Sequence, residues 1–122
     1  MAYHITQVTN NSRNSIAITN PAYEGDSMLV GPNTSPYIPK RPILVNRLTG
    51  NPTYAQALTQ ANNIYTFADN FCFWDNGNSA INGIGEKGGA PIVFNSSAGN
   101  LQVTVNADGT LTFVKAVSSA SA

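Results

Sequence analysis

Leu101-Gln102-Val103-Thr104-Val105-Asn106-Ala107-Asp108-Gly109-Thr110-Leu111-Thr112-Phe113-Val114 decides the fold class. Apolar and polar residues alternate on both sides of Asn106–Gly109, a period of two that turns one face of each run inward and the other to water. Asn, Asp and Gly tolerate the positive φ of tight connections, so the stretch predicts two antiparallel strands and a hairpin. Just upstream, Ile92-Val93-Phe94 ends in the turn residues Asn95–Asn100, which extends the reading to a three-stranded meander.

The same pattern fills the other end of the chain. Strands are predicted at His4–Thr9 and Ser15–Thr19, joined by Asn10-Asn11-Ser12-Arg13-Asn14, and at Met28-Leu29-Val30 after a break at Asn20–Asp26. Pro32, Pro36, Pro39 and Pro42 make the next segment an exposed crossover, followed by a strand at Ile43-Leu44-Val45. Asn51-Pro52 is expected to cap and start one short helix near 52–62, with Tyr54, Ala55, Leu58 and Ala61 on one side and Asn62-Asn63 stopping it. Ile64–Phe67 and Phe71–Trp74 read as aromatic strands, and the glycine-rich residues 76–90 as a long loop. Short strands at such spacing imply an all-β chain, a small antiparallel β-sandwich of Greek-key type, with a β-trefoil-like barrel as the alternative. Residues 1–117 form a single β domain in this reading, and 118–122 a flexible C-terminal tail.

Composition narrows the function. Charged residues are 10% of the 122 and sum to zero, while the apolar share of 42% is enough for a core. Sixteen Asn, eleven Thr and ten Ser take the place of charge. A neutral chain argues against nucleic acid or an anionic membrane as partner, because both need a basic surface. One Cys and one His exclude a disulfide framework, and they leave no basis for metal sites, cofactors or imidazole-dependent nucleophiles. No apolar run reaches the ~18 residues of a membrane span. The start Met1-Ala2-Tyr3-His4 lacks the features of a signal peptide, so the expectation is a cytoplasmic protein, or one released without a classical leader.

Three patterns resemble sites and are discounted. Gly83-Ile84-Gly85-Glu86-Lys87-Gly88 fits a dinucleotide fingerprint, but a β run follows it where the phosphate-binding helix should begin. Pro36-Tyr37-Ile38-Pro39-Lys40-Arg41 fits a polyproline ligand, yet prolines at that spacing equally keep a crossover extended. Cys72 lies in an aromatic strand with no base beside it in sequence, the setting of an inert buried thiol.

The most suggestive cluster is Trp74-Asp75-Asn76-Gly77-Asn78. A sugar offers an apolar C–H face and a ring of hydroxyls; an indole covers the first, and carboxylate or amide groups pair with the second. Trp74, Asp75, Asn76 and Asn78, with Asp69 and Tyr65 close in sequence, are therefore the candidate ligand-binding residues, and Tyr23 and Tyr37 are further aromatic platforms. The competing reading makes Trp74 a core anchor and the Asn-Gly steps turn chemistry. In composition the chain resembles small soluble lectins and lectin-like defence proteins. The leading expectation is thus a non-enzymatic module that binds a neutral glycan. The alternative is a protein-interaction or defence protein, such as a protease inhibitor or a membrane-active β protein, or a structural coat component. With no net charge to keep copies apart, a homodimer or higher oligomer is expected.

Overall fold

The alternation read from the sequence is carried out in space: Leu101, Val103 and Val105 are fully buried, while Asn100 is exposed. A computed structural model describes residues 3–33, 36–50, 52–65, 70–77, 80–85, 92–95, 99–108 and 110–115, without the side chains of 65, 70, 80 and 92–95. Its elements are β1 (His4–Asn10), β2 (Ile16–Thr19), β3 (Ser27–Val30), β4 (Ile43–Leu44), α1 (Tyr54–Gln60), β5 (Asn62–Tyr65), β6 (Asn70–Asp75), β7 (Ala80–Gly85), β8 (Ile92–Asn95), β9 (Asn100–Val105) and β10 (Leu111–Lys115). They form two sheets, one ordered β10-β9-β1-β4 and the other β3-β2-β5-β6-β7-β8. This is a small all-β sandwich rich in antiparallel pairs, with a single short helix and no closed barrel among the described residues. The trefoil alternative is therefore set aside.

The β9–β10 hairpin forms as expected, in the register Leu111↔Val105 to Lys115↔Leu101. Asp108 fastens its turn by accepting from the Thr110 amide (3.0 Å) and hydroxyl (2.6 Å). Those hydrogen bonds to Thr110 hold the Asp108 carboxyl below its ordinary pKa.

Three expectations are corrected. The meander does not exist: β8 pairs with β7 in the other sheet, and β9 lies parallel to β1, with His4 opposite Asn100 and Asn10 opposite Val105. Turn residues mark where the chain breaks and carry no information about which sheet the next strand joins. Residues 76–90 are not one loop, because Ala80–Gly85 is a strand between β6 and β8. Gly83 is needed there for contact and not for looseness: a Cβ on it would strike Phe71 Cε1 and lie 2.8 Å from Phe71 Cζ. The helix is capped by Thr53 and not by Asn51-Pro52; the Thr53 hydroxyl accepts from the Gln56 amide, and the Gln56 side chain accepts from the Thr53 amide.

Two apolar layers result. Between the sheets lie Ile5, Val8, Ile16, Ile18, Ile64, Phe73, Ile81 and the inward residues of β9 and β10. Phe73 and Phe113 bridge the sheets, with ring centroids 5.3 Å apart. On the outer side of the six-stranded sheet, α1 covers Cys72 and Trp74 with Ala57, Leu58 and Tyr54. No helix among the described residues is long and apolar enough to cross a membrane.

Much of the asparagine enrichment is structural. Asn10, Asn20 and Asn62 are buried, and each binds backbone from several segments. Asn10 donates to the carbonyls of Asn14 and Val30 and accepts from Ser12. Asn62 donates to the Leu44 and Thr19 carbonyls (2.9 and 3.4 Å) and accepts from the Asn46 amide (2.8 Å), which ties the two sheets at one edge. A carboxamide suits this work because it donates and accepts without bringing a charge into the core.

Candidate functional site

Strand β6 alternates, so Phe73 enters the space between the sheets while Cys72 and Trp74 face the helix. Trp74 is consequently only 5% exposed. Its indole N–H is buried without a hydrogen-bond partner among the described residues, as is Asn63 Oδ1. A ring so enclosed cannot stack on a sugar, so the expectation for Trp74 is corrected to that of a core anchor. The physical reason is the helix: Leu58 and Ala57 supply an apolar cover that a strand pattern alone does not reveal.

Asp75 is buried as well, and its polar atoms are engaged. Its Oδ1 accepts from the Gly77 amide (2.8 Å), its Oδ2 lies 3.5 Å from the Arg47 guanidinium, and its backbone bonds to Asn46 and Leu48. Burial first, and the nearby Asp75 carboxylate second, raise the pKa of the Tyr3 phenol. Asn76 is half-buried and donates to Asn82 Oδ1 at 3.2 Å. The side chain of Tyr65, and Asp69 and Asn78 altogether, lie outside the described residues. Among the described candidates, the cluster is thus brought together as a structural corner.

The polyproline-ligand pattern is also taken up by the fold. Tyr37 exchanges backbone hydrogen bonds with Val8 (2.7 and 2.9 Å) and packs on the core, and Pro39 is buried. The dinucleotide-like pattern begins inside strand β7, and its second half lies outside the described residues. Burial pushes the Cys72 thiol up to about 11, which leaves it protonated and inert at neutral pH.

An accessible aromatic platform exists elsewhere. Buried Asn20 organises the turn that carries it: Asn20 Oδ1 accepts from the Ala22 and Leu44 amides, and its Nδ2 donates to Pro42 O and Asp26 Oδ2. This clips the 20–26 turn against the start of β4 and leaves Tyr23 49% exposed. Arg41 lies over the Tyr23 ring at 4.6 Å and is held 3.7 Å from Asp26. Beside the ring, His4 and Asn100 are neighbours through the parallel β1–β9 register. Tyr23, Ala22, Pro42, His4 and Asn100 line an open pocket of about 330 Å³. An aromatic ring, a carboxamide and an imidazole on one rim can cover an apolar ring face and exchange hydrogen bonds with hydroxyls. Tyr23 was visible in the sequence as a platform on a turn. Asn100 and His4 were not, because they stand at opposite ends of the chain and meet only through β1–β9 pairing.

No protein-family model matches the chain, and no curated protein or solved structure matches it.

Proposed function

We propose that this protein is a non-enzymatic binding module for a neutral glycan, and that the sugar sits in the Tyr23 pocket. The observation that supports this most is the half-exposed Tyr23 ring sharing a pocket with Asn100 and His4. The platform is preset: Asn20 fixes its turn, and Arg41, held by Asp26, covers one face of the ring, so the other face is the one left for a sugar and little freedom is lost on binding. A binding role also agrees with the carboxylates. Asp26 and Asp75 are engaged by arginines, and Asp108 by its own turn.

One open pocket of this size gives weak affinity, on the order of millimolar for a monosaccharide, and several copies together would raise it. The reading therefore includes self-association. Strand β3 is one edge of the six-stranded sheet, carries no charge, and holds the exposed Leu29 outward. The proposed setting is the cytoplasm, or the outside of the cell after non-classical release.

The test is a glycan array followed by NMR titration with the free sugar of the strongest hit. Amide shifts centred on Tyr23, His4 and Asn100, lost in Tyr23→Ala and Asn100→Ala but kept in Trp74→Phe, are expected. Binding that survives both pocket variants, or no binding on the array, overturns the proposal. Light scattering at tens of micromolar protein should give a mass above 12.9 kDa.

A further inference from the structure

Two residues that line the Tyr23 pocket, His4 and Asn100, are also the first members of a longer polar face. In β9 the buried Leu101, Val103 and Val105 point between the sheets, so Asn100, Gln102 and Thr104 point away from the core. In β1 a register shift between Ile5 and Gln7 keeps Val8 inward and turns Gln7 and Thr9 outward. Parallel pairing then sets His4 beside Asn100, Gln7 beside Gln102, and Thr9 beside Thr104. Strand β10 adds Thr112 next to Thr104 and Val114 next to Gln102. From Asn100 to Thr104 these rows extend about 13 Å along the strand, with neighbouring strands about 4.8 Å apart. The side chains of Gln7, Thr9, Gln102 and Thr104 make no hydrogen bond to another described residue, and α1 lies on the other sheet.

We infer that this face continues the Tyr23 site and holds the further units of a straight, ribbon-like neutral hexose chain of the cellulose or mannan type. The inference rests on the Tyr23 reading and extends it from one sugar to a chain. Three features select that ligand. The face is continuous with the pocket, because His4 and Asn100 belong to both. It is uncharged from Leu101 to Val105 and from Ile5 to Asn10, so carboxamides and hydroxyls can exchange hydrogen bonds with a polyol while no charge is stripped of water. Its rows also run straight along paired strands, which matches an extended ribbon, whereas a curled chain of the amylose type would leave the surface beyond the pocket. Each added hydrogen bond is worth a few-fold in affinity, so several together give a chain roughly 10- to 100-fold over a single sugar.

The test is calorimetric and NMR titration of the full chain with glucose, mannose, cellohexaose, mannohexaose and, as the curled control, maltohexaose. At least one ribbon hexasaccharide should bind roughly 10- to 100-fold more tightly than its own monosaccharide, and should shift the Gln7 and Gln102 side-chain amides together with the pocket signals. Maltohexaose should gain little over glucose. Gln102→Ala with Thr104→Val changes only outward side chains, so the fold is kept; it should bring the hexasaccharide to the monosaccharide's level and leave the monosaccharide unchanged. A hexasaccharide no tighter than its monosaccharide, with shifts confined to Tyr23, His4 and Asn100, overturns this inference and leaves the pocket reading standing. Hexasaccharide binding untouched by the double variant, or an equal gain for maltohexaose, overturns it too. No binding by any of the five sugars also overturns it, and the glycan array then decides the pocket reading separately.

Discussion

Replacing Asn62 by Asp changes one atom of a buried side chain and should convert a pH-indifferent anchor into a pH-sensitive one. In the native protein Nδ2 donates to Leu44 O at 2.9 Å and to Thr19 O at 3.4 Å, while Oδ1 accepts from the Asn46 amide at 2.8 Å. In Asn62→Asp the acceptor survives and the donor becomes an oxygen facing two carbonyl oxygens. While it is protonated the carboxyl can still donate to one carbonyl, so the cost is that of one lost hydrogen bond, ~1 kcal/mol. Once ionised, the buried carboxylate would face carbonyl dipoles, so its folded-state pKa is raised above the unfolded value of ~3.9. A raised acid pKa means that the native state binds more protons than the unfolded one, so stability falls as pH rises through that window. A rise of about two units corresponds to ~3 kcal/mol, which brings the total near 4 kcal/mol at pH 7. That is a large share of a typical domain stability of ~5–15 kcal/mol. Urea unfolding followed by the fluorescence of Trp74, the only tryptophan, measures it directly. The variant-minus-native difference should grow from acid to neutral pH. A difference that is constant with pH, or absent at neutral pH, would refute the role assigned to Asn62.

Other outcomes follow from the packing. Gly83→Ala forces a methyl into the Phe71 ring and should cost ~1–3 kcal/mol, seen as a lower Tm. Trp74→Ala empties the layer beneath α1 and should cost ~3–5 kcal/mol in chemical denaturation, the loss of a core residue. Thr53→Ala removes the helix cap and should cost ~1 kcal/mol, with the β-sheet circular dichroism retained. The Cys72 thiol should titrate near 11 by ultraviolet absorbance, and stability should decline as pH rises from the ordinary thiol range through that value, since the folded state holds its proton longer.

Local periodicity was legible without coordinates. The alternation in Leu101–Val105 and Leu111–Val114, the Asn and Gly turns and the proline crossover each arise from neighbours in sequence, and steric limits on φ act at that range. They set the class: β-strands, one short helix, two sheets around an apolar layer. The candidate cluster at Trp74–Asn78 was legible only as chemistry, since an indole beside carboxamides reads the same whether it faces water or a helix. Tertiary structure decided between those two. It placed α1 over Trp74, turned Asp75 toward Arg47, set Gly83 beneath Phe71, and carried His4 to Asn100 through a parallel pairing between the two ends of the chain. The reason is range: backbone conformation is governed by adjacent residues, whereas burial and the meeting of side chains are governed by which distant segment covers a surface, and the short pattern within a strand holds no record of its cover.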